Sequence, residues 1–208
     1  IIGGCVLGTS ISYWISNLYD LNVCVIDKEY DVAKHTSGRN TGVVHTPFYL
    51  DPEKKKTFAR SSNISWSLWR TLAINTETSW KECGTIEVAL DETQHKTLEK
   101  YLIWGVQNGV DSKNLQLLDS NGVKRIAGEN VECYSGLFAC DVSTDYSKLT
   151  KEIKNFSIQN STEFLFQKTV KEFKQKNDSI EINFIDNSSI ECKYLINCLL
   201  YTSDAADE

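Results

Sequence analysis

The fold turns on two stretches, Ile1-Ile2-Gly3-Gly4-Cys5-Val6-Leu7-Gly8 and, after a helical run, Asn22-Val23-Cys24-Val25-Ile26-Asp27. Ile1-Ile2 reads as the end of a buried strand and Gly3 to Gly8 as a tight turn. A helix is predicted from about Leu7 to Tyr19, with Ile11, Ile15 and Leu18 at helical spacing. The second stretch is nearly all apolar, as a parallel strand buried on both faces must be. This is a βαβ unit, for which a right-handed crossover is the default. Backbone N–H groups at such a helix start point outward, and the helix dipole favours an anion there. An acidic residue closing the second strand can then hold a ribose hydroxyl pair. Asp27 lies 19 residues after Gly8, close to the usual spacing of about 20. The G-x-G-x-x-G pattern asks for glycine at 3, 5 and 8, but position 5 is Cys, and Gly4 stands at a variable position. Gly3, Gly4, Cys5, Gly8, Asp27 and Lys28 are thus candidate dinucleotide contacts. A bare structural turn is the alternative.

Composition narrows the field. The chain has 208 residues, 41% hydrophobic and 24% charged, which excludes a disordered or collagen-like chain. A net charge of -6, with no basic cluster beyond Lys54-Lys55-Lys56, argues against a nucleic-acid surface. No run approaches the roughly 18 apolar residues of a membrane span. Seven cysteines without a CxxC pair read as reduced thiols, and no metal site is expected. These features and the lack of a signal peptide predict a cytoplasmic protein, with peripheral membrane attachment left open. The chain contains no methionine, and Leu199-Leu-Tyr-Thr-Ser-Asp-Ala-Ala-Asp-Glu208 resembles the translation of a sequencing-library adapter. We therefore expect a chain truncated at its C-terminus, with 199–208 a non-native tail.

Further along, residues 28–51 read as a long loop rich in Gly, Ser, Thr and Asn, of the kind that usually carries function in a compact domain. Asp51-Pro52 is expected to start a helix reaching about Asn75, with Phe58, Trp66, Trp69, Leu72 and Ala73 on its buried stripe. Strands are predicted at 84–90, 115–118 and 135–140, and helices at 93–108 and 120–127. Asp145 is placed to cap a helix over 146–156. The remainder is strand-rich: 164–166, 170–175, 179–184, 189–192 and 194–197. Turns fall at Asn177-Asp178 and Asp186-Asn187. His35 and His95 are expected on the surface.

The loop after Asp27 carries the more specific signal. Ser37-Gly38-Arg39-Asn40-Thr41-Gly42-Val43-Val44-His45-Thr46-Pro47-Phe48-Tyr49-Leu50 resembles the S-G-x-N-S-G-V-I-H-x-G-x-Y-Y stretch of FAD-dependent oxidoreductases. The type is that of D-amino-acid oxidase and glycerol-3-phosphate dehydrogenase, nearest the L-2-hydroxyglutarate dehydrogenase/oxidase branch. Gly84 to Ala89 is similar to the family's G-x-L-x-V-A strand. The segment from Leu137 through Asp141 to Tyr146 and Leu149 is similar to its A-L-x-x-P-x-T-G-x-V-D-Y-x-x-L segment, and Tyr194 to Cys198 to the start of its (F/Y)-x-I-N-C-A-G strand and turn.

The resemblance implies an α/β chain: a Rossmann-like, glutathione-reductase-type FAD-binding domain with an inserted α+β substrate domain. The FAD-binding parts would be 1–50 and 141–198, the connecting helix 51–77, and the substrate segment 78–140, whose strands would rest against the isoalloxazine edge. FAD is the implied cofactor. Ser37, Gly38, Arg39, Asn40, Thr41, Gly42, Val170 and Asn197 would join the first six residues in holding it, Val170 through its backbone at the adenine. The implied reaction moves a hydride to flavin N5 from a CH–OH donor, such as the 2-hydroxy acid L-2-hydroxyglutarate, or from a CH–NH donor. The electron acceptor is unassigned.

Within that reading His45 is the candidate general base, since an ordinary imidazole titrates near 6.5; a histidine merely hydrogen-bonded in the loop is the alternative. Arg39 could hold a carboxylate or pyrophosphate bidentately, or form a surface ion pair. Tyr49 would touch substrate or simply pack. Pro47 and Leu50 replace a family glycine and tyrosine, which bears on the substrate more than on the redox chemistry. Two other readings compete: a non-catalytic Rossmann-type nucleotide-binding module or inactive fragment, and a SAM-dependent methyltransferase. The strand-rich 163–192 region and the 37–49 loop argue against the last.

Overall fold

The computed structural model of the chain describes residues 1–199; residues 200–208, nearly all of the expected tail, lie outside the described residues. In chain order the elements are α1 (Val6–Leu18), β1 (Cys24–Ile26), β2 (Val43–Val44), α2 (Lys56–Asn75), β3 (Trp80–Glu82), β4 (Thr85–Ala89), α3 (Glu92–Gln107) and β5 (Leu115–Asp119). They continue as α4 (Ser120–Ala127), β6 (Ser135–Ala139), β7 (Val142–Thr144), α5 (Tyr146–Gln159), β8 (Glu163–Leu165), β9 (Val170–Gln175), β10 (Ile180–Phe184) and β11 (Ser189–Cys192). Short 3-10 turns cover Thr36–Gly38 and Ser112–Asn114.

The chain divides into two compact units, one made of 1–40 with 145 onward, the other of 41–144. The first is discontinuous and the second is inserted into it. The joints fall at Asn40/Thr41 and Thr144/Asp145 rather than at 50 and 140, and α2 belongs to the inserted unit. The reason is local: β2 and β3 both pair with β7, so the stretches flanking α2 are tied to one small sheet.

In the first unit β1 pairs in parallel with β8. Ile2 bridges Ile26 on one side and Asn197 on the other, both in parallel. Four segments therefore run side by side in the order 197, 2, 26, 165, the core of the expected parallel sheet. Here the segments at 1–2 and 194–197 take part through isolated bridges at Ile2 and Asn197, and the strand expected at 194–197 is reduced to one of them. The helix α1 lies on α5, with Ser12 Oγ 3.3 Å from Ser157 Oγ. Its buried face is Gly8, Thr9 and Ser12, not the Ile11–Ile15–Leu18 stripe; Leu18 is 65% exposed. Small side chains let the two helices approach closely. The antiparallel meander β9–β10–β11 packs Ile182 and Phe184 onto Ile26.

The inserted unit holds two three-stranded sheets, β2–β7–β3 and β4–β6–β5. Its core gathers Phe48, Ala89, Leu98, Val110, Leu115, Leu137 and Ala139. The helix α2 starts at Lys56, four residues later than expected at Pro52. Asp51 Oδ1 accepts from the N–H groups of Glu53 and Lys54, but residues 52–55 form turns. The helix as formed has Lys55 at its N-cap, without a side-chain cap bond, and no acid in its first turn. Phe58 is 66% exposed, with the Lys55 ammonium over its ring, so it leaves the buried stripe, which runs through Ala59 and Ala73. His95 is not a free surface residue: its Nδ1 lies 2.7 Å from the hydroxyl oxygen of the buried Ser135. All seven cysteines are free. No described helix is long and apolar enough to cross a membrane.

Candidate functional site

The first candidate site is built on the turn between Ile2 and α1. Gly3 adopts φ +107°, a conformation that side chains resist. A Cβ on Gly8 would lie 2.0 Å from the carbonyl oxygen of Gly3, so the helix start can sit against the turn only with glycine there. Gly4 donates its N–H to Asp27 Oδ2 at 2.6 Å, while Asp27 Oδ1 accepts from the Glu29 N–H at 2.9 Å. The acid at the strand end is thereby fixed directly against the glycine turn. Cys5 is the N-cap of α1 and makes no side-chain cap bond. The missing cap comes from the distant loop: Ser37 Oγ accepts from the Val6 N–H at 2.9 Å.

These residues border a cavity of about 780 Å³ whose walls include Gly3, Gly4, Cys5, Asp27, Lys28, Ser37 and Val170. Its volume and donor set suit the nucleotide part of a dinucleotide: a glycine wall without side chains, a helix N-terminus for an anion, and a carboxylate for a ribose. The Ser37 hydroxyl, whose oxygen already accepts from Val6, still has a proton to donate. The departure is Cys5, whose Sγ lies 3.6 Å from the carbonyl oxygen of Cys198 and forms part of the cavity wall.

Other expected contacts sit elsewhere. Gly8 packs behind the turn. Gly38 is required by packing, since a Cβ there would lie 2.1 Å from the Ala33 carbonyl oxygen. Arg39 is exposed. Asn40 Nδ2 donates to the carbonyls of Thr36 and Ser37 and so braces the loop. Asn197 takes part in the Ile2 bridge. None of Gly8, Gly38, Arg39, Asn40 and Asn197 borders the cavity, and Thr41, Gly42, His45 and Tyr49 belong to the inserted unit.

The second candidate site lies wholly within that unit. His45 Nδ1 is 2.8 Å from Asp141 Oδ2. Asp141 is completely buried, and it also accepts from the Thr46 N–H, the Thr46 hydroxyl and the Thr85 hydroxyl. Burial by itself would raise the Asp141 carboxyl, but the hydrogen bonds from His45, Thr46 and Thr85 outweigh it and hold it below the ordinary carboxylate value. The bond to Asp141 in turn raises His45 above the ordinary histidine value, against the opposing effect of partial burial. Tyr49 stands edge-on to His45, with ring centroids 6.2 Å apart. Burial pushes its phenol up, helped by the negative charges of Asp141 and Glu87.

Asp141 was not among the expected site residues. The local signal is weak: Asp141 stands between two short strands, 135–139 and 142–144, and its donors come from distant parts of the chain. Among the described residues no group of three or more His, Cys, Asp or Glu side chains could hold a metal.

Comparison with known proteins agrees with this architecture. The profile of the DAO family, described as FAD dependent oxidoreductase, matches residues 1–207. The chain is 26% identical to the mitochondrial L-2-hydroxyglutarate dehydrogenase of Pongo abelii, over all of this chain and 52% of that protein. It is 28% identical to the glycerol 3-phosphate dehydrogenase of Caloramator mitchellensis, over 95% of this chain and 40% of that one. The chain thus spans about half the length of the curated relatives it matches. Among solved structures, the dithionite-reduced L-alpha-glycerophosphate oxidase of Mycoplasma pneumoniae, with FAD bound, superposes with a TM-score of 0.75 at 24% identity, over 89% of this chain and 48% of that one. The L-proline dehydrogenase of P. horikoshii gives 0.74 at 19% identity, over 92% and 50%. A glycine turn joined to an acid at the strand end, a discontinuous unit with an insertion and a profile match along nearly the whole chain have one common explanation: the chain belongs to the DAO family of FAD dependent oxidoreductases.

Proposed function

We propose that the cavity of the first unit receives FAD and that the whole protein oxidises a CH–OH donor, a 2-hydroxy acid such as L-2-hydroxyglutarate. The observation that carries this reading is the 2.6 Å bond from Gly4 N–H to Asp27 Oδ2. It fixes a ribose-binding carboxylate beside a turn shaped for a pyrophosphate. Gly3, Gly4 and the start of α1 would face the pyrophosphate, with Cys5, Lys28 and Ser37 beside it and the Val170 backbone at the adenine. Bound FAD supplies the hydride acceptor.

The chain's own part is to orient and deprotonate the donor. His45 would take the hydroxyl proton at Nε2, the ring nitrogen not engaged by Asp141. Tyr49 would line the same face. The part given to His45 and Tyr49 rests on the likeness of their loop to the family's. The CH–OH preference rests on the L-2-hydroxyglutarate dehydrogenase and glycerol 3-phosphate dehydrogenase relatives. The test is anaerobic mixing of the full-length holoprotein with L-2-hydroxyglutarate, glycerol 3-phosphate and a panel of amino acids. Loss of visible flavin absorption with the 2-hydroxy acid supports the reading. Bleaching by an amino acid alone would move the donor to the CH–NH class.

One observation favours a second reading, a nucleotide-binding module without redox activity. Cys5 stands where the motif asks for the glycine that lets the backbone approach the phosphates, and it forms part of the cavity wall. If its side chain blocks FAD, Cys5→Gly should restore tight binding to a protein that otherwise lacks it.

A further inference from the structure

We propose that Asp141 is a positioning residue that fixes the tautomer of His45, so that Nε2 is the basic atom offered to the donor. This rests on the reading of His45 as the base. The argument begins with the carboxylate's capacity. Oδ1 accepts from the Thr46 N–H at 2.7 Å and the Thr46 hydroxyl at 2.8 Å, and Oδ2 from the Thr85 hydroxyl at 2.7 Å. The fourth contact is His45 Nδ1, at 2.8 Å. An ionised carboxylate only accepts, so the Nδ1 atom must be the donor. Nδ1 therefore carries the proton in the neutral ring, and Nε2 keeps its lone pair.

Burial makes the arrangement more than a loop anchor. The Asp141 side chain has 0% exposure, against 45% for His45. A buried anion is costly unless paired, and none of its four contacts comes from a Lys or Arg. The one partner that can become cationic is His45. When the donor's O–H bond breaks and an Nε2–H bond forms, the electron pair stays on the donor oxygen. The imidazolium so created faces a carboxylate already in place and already held by other donors. Thr46 and Thr85 hold that carboxylate from two sides, so the ring cannot turn without giving up its bond. Around His45 the titratable groups are Asp141, in contact, Tyr49 beside the ring, and Glu87, whose charge acts on Tyr49. From α2 the Ser62 hydroxyl reaches the His45 main-chain oxygen.

The test is nitrogen-15 NMR of histidine side chains in the full-length protein, with His45 assigned by its absence in His45→Gln. The wild type should show the Nδ1–H tautomer at high pH and a midpoint above the ordinary histidine value. In Asp141→Asn the amide can donate to Nδ1. The neutral ring should then switch to Nε2–H, the midpoint should fall, and kcat should drop about 100- to 10,000-fold with KM changed little. An Nε2–H tautomer in the wild type overturns the proposal whether or not Asp141→Asn folds. So does an Asp141→Asn protein whose tautomer and midpoint are unchanged, or one whose tautomer switches while kcat does not fall. The NMR result does not depend on flavin or donor. A correct tautomer in a protein that ignores FAD and 2-hydroxy acids would instead count against the proposed function.

Discussion

Ser37 Oγ accepts the N–H of Val6 at 2.9 Å, so a loop residue 31 positions downstream caps the first helix. The bond ties the loop that marks the family to the turn that marks the dinucleotide fold. Ser37→Ala removes the cap. Loss of an N-cap typically costs about 1 kcal/mol, and the loop should loosen from the cavity wall. Chemical denaturation should show the stability loss, and FAD titration a weaker affinity; an unchanged affinity would separate the cap from the cofactor.

Asp27→Ala strips the acceptor from two backbone donors, Gly4 N–H and Glu29 N–H. Each unsatisfied donor costs about 1–3 kcal/mol, and the ribose would lose its carboxylate. FAD affinity should fall about 10- to 100-fold, ~1.4–2.7 kcal/mol, as read by fluorescence quenching. Asp27→Asn, which keeps one acceptor oxygen, should lose less.

Gly8→Ala places a methyl 2.0 Å from the Gly3 carbonyl oxygen. Overpacking of this kind costs about 3 kcal/mol at the upper end of its usual range. Cys5→Gly is a different case. Cys5 has an ordinary extended backbone, φ -75° and ψ 175°, so glycine there should alter stability by less than about 1 kcal/mol. Thermal melts of the two variants should separate a glycine demanded by packing from a position open to change.

Stability should depend on pH through the His45–Asp141 pair. The folded His45 value is raised, so its contribution is complete below the unfolded histidine value and disappears as pH rises through the folded one. The folded Asp141 value is lowered, so its contribution is complete above the unfolded carboxyl value and disappears as pH falls through the folded one. Both operate between about pH 4 and 6.5. Asp141→Asn should flatten this dependence, as measured by denaturation midpoints across pH. Activity runs the other way at the alkaline end, because a general base must be unprotonated: kcat/KM should rise as pH passes through the raised His45 value.

How much was legible in the sequence varied with the range of the interaction. The helix α4 and strands β9 and β11 fall where local pattern puts them, and Asp145 caps α5 by accepting from Lys148 N–H. The glycine turn and Asp27 were legible because their spacing is itself the signal. Three-residue strands such as β3 and β7 are too short to show a period. The Asp-Pro start signal instead yields a turn over 52–55, held by Asp51, and the helix begins only after it. Asp141 was missed because its four donors come from residues as distant in sequence as His45 and Thr85. Ser37, read as a cofactor contact, turned out also to be a helix cap, which no local rule assigns across 31 residues.

The most direct test of the central claim is the flavin content of the purified full-length protein. About one FAD per chain, released on denaturation and rebound by the apoprotein in competition with added ADP, is the outcome expected of a cofactor seated on the Gly3–Gly8 turn and Asp27. A colourless protein that takes up no FAD, and stays so in Cys5→Gly, would contradict it.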